Sequence, residues 1–413
     1  VCVCHATPRC HCAPRHRRRR LRTTRTHSRT QTTPKHARHR SPGTSTRHRL
    51  EKKLPGTRNK GRHERWLLTA VGWIRLERQY VTDVDGGSFP ADLTLGVDGP
   101  FTTAAQRMAA FAGTRDSFAR AEATLRELCG WHLDDDTIRK LTHATARRAT
   151  ATRDQREDDE RFETASGSVE VAIDAGKVNT DTGWRDVKMA VFCKRKAGEA
   201  ASLENWDKRE LPSPSIRTVV AAIEESESFQ GRVRRESDRL GTTTASDVTV
   251  LADGAEWIWN IGEEVFSQAT GVLDAFHAIE HIAAAVKAVW GADTPETTQR
   301  IASGRLALLG EGKAGIERWI GARFGELPTG ASGDPLIELA AYLAKHPTRL
   351  GYAKRLSEGC SIGSGLVEGS IKQLVNRRLK QTGAKWKVAH VGPLVELAAL
   401  IDTQEWDALW TAA

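Results

Sequence analysis

Val169-Glu-Val-Ala-Ile-Asp-Ala-Gly176, with Trp184-Arg-Asp-Val-Lys-Met-Ala-Val-Phe192 behind it, is the stretch on which the fold turns. Val169, Val171 and Ile173 alternate with Glu170, Ala172 and Asp174, the period of a strand with one face buried. The polar turn Asn179–Gly183 joins the two runs as a hairpin, and Thr218–Ile223 supplies a third strand of an antiparallel meander. A helix is predicted over Phe229–Leu240. Val248-Thr-Val-Leu-Ala252 then reads as a buried strand with Asp253 at its end, and Gly271-Val-Leu-Asp274 as one more.

The succession β-β-β-α-β-α-β-α predicts an α/β chain with a ribonuclease-H-like mixed sheet and helices on its faces. Residues 275–350 are read as helical. In the first of these helices Phe276, Ile279, Ala283, Val286 and Trp290 step by three or four and give an apolar face. A last helix is expected from near Leu366 toward Thr382. Upstream, Trp66–Tyr80 alternates as a small β-hairpin turning near Gly72. Helices follow over Ala104–Ala112, Ser117–Cys129 and Asp135–Arg148, with Gly130 as a stop and Asp135 or Thr137 as N-cap. The last two, with Arg139, Lys140, Arg147 and Arg148, fit either a helix-turn-helix or a plain helical hairpin. Three parts result: a basic tail (1–63), an N-terminal hairpin and helical DNA-binding domain (64–160), and a catalytic domain (161–405) with a helical insertion at about 285–355.

Charge is distributed unevenly. Of 62 Lys and Arg, 19 lie in residues 1–63 beside one acid, Glu51; the rest of the chain holds 43 cations against 51 acids. The net charge of +10 therefore comes from the tail, and contact with nucleic acid by the body requires local basic clusters. The tail is too poor in apolar residues to offset the entropy of ordering and is expected to be disordered. Three readings of it stand: a basic arm for DNA phosphates, a nuclear-localisation-like tract at Arg17–Arg20, or upstream sequence read through from a misassigned start. The first Met, Met108, favours the third. Four of seven cysteines, Cys2, Cys4, Cys10 and Cys12, form C-x-C pairs closer than zinc modules use, and no disulfide framework is apparent. With no membrane-length apolar run and no secretory signal, a soluble, cytoplasmic, nucleoid-associated protein is expected.

Asp174 and Asp253 at strand ends and Glu368 at the start of a helix after Gly363-Ser-Gly365 carry the chemistry. Carboxylates brought together repel one another, and oxygen-preferring divalent cations relieve that repulsion. Two Mg²⁺ (or Mn²⁺) ions can then activate a water or a 3′-hydroxyl and stabilise the leaving oxygen of a phosphodiester. Singly, each acid has a plainer role: Asp before Gly suits a turn, and Glu suits a helix start.

Taken together, Val171–Asp174, Gly183–Lys188, Val250–Trp259, Leu273–His277, Gly363–Gly369 and Arg378–Trp386 resemble the bacterial insertion-sequence transposases of the ISKra type, which carry a DDE triad. The resemblance spans about residues 65–405. It implies that Asp174, Asp253 and Glu368 bind the catalytic metals, and that the helical stretch after Asp253 is an insertion in the catalytic fold. Asp274 and His277 match a D-x-x-H pattern of related superfamilies; an Asp–His hydrogen bond, a phosphate contact, or zinc ligation with His281 would each fit. Two departures stand out. Ala175 replaces the Gly that usually follows the first acid, and Val81–Gly87 lacks the paired cysteines often found there.

Beyond Glu368, Lys372, Arg377, Arg378, Lys380, Lys385 and Lys387 form the local basic cluster that the acidic body requires. They are expected to hold the DNA backbone, opposite an apolar face of Val367, Ile371, Leu374 and Val375. Trp386 is expected to anchor to the core. The function implied is cutting at the element's ends and joining of the 3′-hydroxyl to target DNA, by a homodimer or larger synaptic assembly. A nuclease on the same fold and a catalytically inactive DNA-binding derivative are the alternatives.

Overall fold

Two five-stranded sheets organise the described residues. This is a computed structural model, and it describes residues 56–155, 159–243, 245, 247–403 and 405–411, which fall within one unit. The expectations for residues 1–55, including disorder and the cysteine pairs, lie outside the described residues.

The first sheet is built on the hairpin of β1 (Arg58–Thr69) and β2 (Gly72–Thr82), where Gly72 takes a φ of +111° in the turn. Short strands β3 (Gly87–Ser88), β4 (Val97–Asp98) and β5 (Phe101–Thr102) complete the order β3-β2-β1-β5-β4. The hairpin starts at Arg58, so residues 58–63, read from composition as tail, are strand. Cross-strand charge pairs such as Arg62–Glu77 support it where apolar residues are few.

Helices Thr103–Arg115, Phe118–Cys129 and Asp135–Asp154 follow, capped by the side chains of Thr102, Ser117 and Asp134. The third helix begins at Asp135 as expected, but its cap is Asp134, not Asp135 or Thr137, and accepts from the Thr137 amide. Gly130 ends the second helix in the left-handed conformation, as predicted. Ala109, Leu125, Trp131 and Ile138 close a small core, while Ala146 and Ala149 pack on Leu397 and Leu400 of the helix Val388–Ile401.

The second sheet comprises β6 (Ser168–Thr180), β7 (Gly183–Arg195), β8 (Ile216–Ala222), β9 (Val248–Ala252) and β10 (Thr270–Leu273). Its order is β10-β9-β6-β7-β8; β6, β7 and β8 pair antiparallel, whereas β9 runs parallel to both β6 and β10. Every residue of β9 is buried, the pattern of a strand covered on both faces. The main core forms around this mixed α/β sheet. Beneath it, Arg239 donates to Asp159 at 2.9 Å and to Glu236 at 2.8 and 3.0 Å, all three buried.

Between β10 and Glu368 lie helices Ala275–Trp290, Pro295–Phe324, Asp334–Ala344 and Tyr352–Ser357. The buried stripe of the first is Ala275, Ala278, Ile282, Ala285 and Val286; Phe276 is exposed, which corrects the predicted apolar face. Alanines share this stripe with Ile282 and Val286, while Ile279, Val289 and Trp290 pack against the core only partly buried. The helix carrying Glu368 starts at Gly365, opens into a wider π-turn over Ile371–Asn376 and ends at Leu379, short of Thr382. Among the described residues no helix is long and apolar enough to cross a membrane.

Candidate active site

Strand register sets the two aspartates side by side. The last β6–β9 pair is Ala172 with Leu251; Asp174 and Asp253 each stand two residues further on, facing the same side. Asp174 does not close its strand as expected, because β6 continues to Thr180 against β7. What ends at this level is the parallel neighbour β9, and that leaves room above the sheet edge for a third group.

Glu368 enters from the helix beginning at Gly365, which lies close over β6. A Cβ on Gly176 would come within 2.8 Å of Ile371 Cγ2, so the absence of a side chain there permits the approach. Gly176→Val is expected to lift the helix, reduce stability by about 1–3 kcal/mol and slow any reaction needing Glu368 near Asp174. Urea denaturation and an activity assay would read the two effects; unchanged values in both would show that this contact does not matter.

The three carboxyl groups share one electrostatic environment. Burial pushes Asp174 up to about 6, against a hydrogen bond from its neighbour Ala175 N at 2.6 Å, and the charges of Asp253 and Glu368 push the same way. His277 opposes them. Asp253 accepts from Ala255 N at 2.9 Å, and Glu368 lies 3.5 Å from Lys372 Nζ. A carboxyl raised in the folded state costs stability once it is ionised, and the cost disappears as pH falls through about 6 toward the unfolded value. Asp174→Asn should therefore stabilise the metal-free protein at pH 7.5, by about 1 kcal/mol after allowing for its partial exposure. Thermal melts at pH 7.5 and 4 should show a gain at the first pH and little at the second; a loss at pH 7.5 would refute the repulsion.

Three oxygen donors under mutual repulsion fit a hard divalent cation in their chemistry. In their present positions they are not a closed ligand shell: among the described residues, no group of three or more His, Cys, Asp or Glu is placed to hold a metal ion. This covers the H-x-x-x-H pair as well. His277 and His281 meet edge to face at 5.0 Å, and the His277 imidazole lies 3.7 Å from Glu280.

Asp274 is buried and does not bond the His277 ring as expected. Its Oδ1 accepts from the His277 backbone amide at 2.8 Å, capping the helix Ala275–Trp290, while Oδ2 accepts from the Ser364 amide and hydroxyl. It thereby anchors the loop before Glu368. Glu170, on the same face of β6 as Asp174, does likewise: Arg195 Nε donates to it at 2.9 Å and the Ser361 hydroxyl donates from that loop.

No known protein-family model matches this chain, and none of the curated proteins matches it.

The basic cluster divides. Lys372, Arg377, Lys380 and Lys385 are exposed, whereas Arg378 is buried and gives its guanidinium to the carbonyl of Gly113, at 2.9 Å from Nη2. Phe118 and Trp386 flank it, each ring centre 4.9 Å away. Arg378 is thus a clasp between the Glu368 helix and the N-terminal helices and is not the exposed backbone contact expected. Trp386 is anchored, donating to Leu379 O at 3.0 Å.

One neighbour of the acids was not foreseen. Tyr342, from the insertion, lies where a Cβ on Gly254 would meet its ring at 2.3 Å, and the ring stacks on His281 with centroids 4.0 Å apart. Burial, then Asp253 and Asp274, raise its hydroxyl above the ordinary range. Nothing in the sequence pattern marks this tyrosine among the apolar positions of its helix.

Proposed function

We propose that the chain is a DNA transposase of the ISKra type, with a ribonuclease-H-like catalytic domain that cuts at its element's ends and transfers the 3′-hydroxyl into target DNA. The observation that carries this is the convergence on one electrostatic site of Asp174 and Asp253, from adjacent parallel strands, and Glu368, from a helix nearly two hundred residues beyond Asp174 in the chain. Three antiparallel strands followed by two parallel ones, alternating with helices, support the fold reading. The segments that resemble the transposases include all three acids.

In this reading Asp174, Asp253 and Glu368 hold two Mg²⁺ or Mn²⁺ ions, which supply charge stabilisation and a nucleophile at neutral pH. Lys372, 3.5 Å from Glu368, would be available to a DNA phosphate with the carboxylate holding a cation. Asp274, through Ser364, and Glu170, through Ser361, hold the loop that leads into the Glu368 helix. Exposed Lys372, Arg377, Lys380 and Lys385 take the DNA backbone, and synapsis of two ends requires a homodimer or larger assembly. The test is incubation of the full chain with labelled element ends, a target plasmid and Mg²⁺. Joined products support a transposase, whereas cut ends that never join make the protein a nuclease.

One observation favours the alternative of an inactive DNA-binding derivative: the carboxylates do not form a metal-holding group as they stand. An active site should draw them together on metal. Mg²⁺ at 10 times its Kd should then stabilise the parent by about 1.4 kcal/mol but not an Asp253→Asn variant. End binding without this stabilisation or cleavage would establish the derivative.

A further inference from the structure

An open groove of about 470 Å³ lies between the helices Asp135–Asp154 and Val388–Ile401, bounded by the loop 381–387. On one side the rings of His143 and His390 stack with centroids 4.1 Å apart. Around them stand Arg139, Lys385 and Lys387. Arg139 is paired with Asp136, but Lys385, Lys387 and nearby Arg147 have no ion-pair partner among the described residues. Burial pushes His143 down to about 4, with His390, Arg139, Arg147 and Arg378 acting in the same direction. His390 is lowered by burial and by Arg147, Lys387 and Arg139, and Asp181 alone opposes. Two neutral aromatic rings therefore sit inside a rim of unneutralised cations.

That combination matches a ligand with a flat aromatic part and an anionic part. A site of this volume holds about one nucleotide and is too small for the width of a duplex. We propose that the groove binds an unpaired nucleotide of the DNA strand, its phosphate against Lys385 and Lys387 and its base against the His143–His390 stack. This rests on the reading of the protein as a DNA enzyme. The groove is joined to the acids through the Glu368 helix: ten residues separate Glu368 from Arg378, about 15 Å of helix. A strand freed at the acids can thus lead its unpaired end into the groove.

The test uses the full chain and fluorescence anisotropy, with labelled oligothymidylate and a labelled duplex of equal length as probes. The double variant Lys385→Gln, Lys387→Gln should bind oligothymidylate about tenfold more weakly and reduce the salt slope by about 1.4, the value for two single-strand phosphate contacts. His390→Ala should weaken oligothymidylate about tenfold with the slope unchanged, because stacking carries no counterion release. His390→Phe, which keeps a ring face, should restore most of that loss, and it also controls for misfolding. Duplex binding should stay within about twofold in both His390 variants, which leave every lysine in place. Unchanged oligothymidylate binding in His390→Ala, or duplex binding that falls in parallel, overturns the nucleotide groove while leaving a DNA enzyme intact. A parent that binds neither probe removes the DNA reading itself, and the groove's assignment with it.

Discussion

Full-length protein carrying Asp253→Asn should bind its element ends as tightly as the parent and cut them about 10³-fold more slowly in Mg²⁺, since loss of a metal ligand removes several kcal/mol of transition-state stabilisation. The substitution suits the question because it changes charge and little else. The Asn carbonyl still accepts from Ala255 N, and the backbone carbonyl still takes the Trp259 indole N–H at 2.7 Å. Fold and DNA contact should therefore survive. Gel-resolved cleavage of labelled ends, beside a binding titration, separates the outcomes. Equal cleavage by parent and variant would remove Asp253 from the chemistry and the triad with it. No cleavage by either, with binding intact, would favour the inactive derivative.

The largest stability effect should come from Arg239→Ala, at about 3–5 kcal/mol, because two buried carboxylates would lose their shared cation. Burial by itself would raise Asp159 and Glu236; the Arg239 guanidinium outweighs it and holds both below the usual carboxylate range. Carboxyls depressed in the folded state contribute stability above their unfolded pKa, and that contribution is lost as pH falls through the folded value. The parent should thus weaken steeply in acid, and Arg239→Ala should show a flatter acid limb as well as a lower plateau. Urea denaturation from pH 7 to 3 measures both. A plateau within 1 kcal/mol of the parent would mean that water or rearrangement replaces the cation at little cost.

Alternation in Val169–Asp174 and the apolar run Val248–Ala252 were enough to find the strands that bear the aspartates, although Val169–Ile173 proves buried on both faces, Glu170 included, and not on one. The reach of β6 to Thr180 was not legible. Lys177 and Asn179 are held there by pairing with β7, not by apolar contact, and hairpin pairing leaves no hydrophobic trace. The placement of Arg378 was legible but misread: it stands four residues after Leu374 and three after Val375, on the apolar stripe, and only its charge suggested the outer face. Asp274 was found as a residue of interest, but its partners, the Ser364 amide and hydroxyl, lie ninety residues away. Separations of about sixty to ninety residues likewise hid the place of Tyr342 beside Gly254 and His281 and the Arg239–Asp159 pair. Side chains that meet across a fold carry no common period.

The π-turn at Ile371–Asn376 has a consequence for how this segment tolerates change. At one end of its helix Glu368 must stand over the strand ends; at the other Arg378 must reach the Gly113 carbonyl. Removing one residue between them would turn one end against the other by about 100° and draw them together by about 1.5 Å. One of the two engagements would then be lost, whichever residue was deleted. Along this stretch the constraint is the number of residues more than their kind, so single-residue deletions should be far more damaging than conservative substitutions at the same positions.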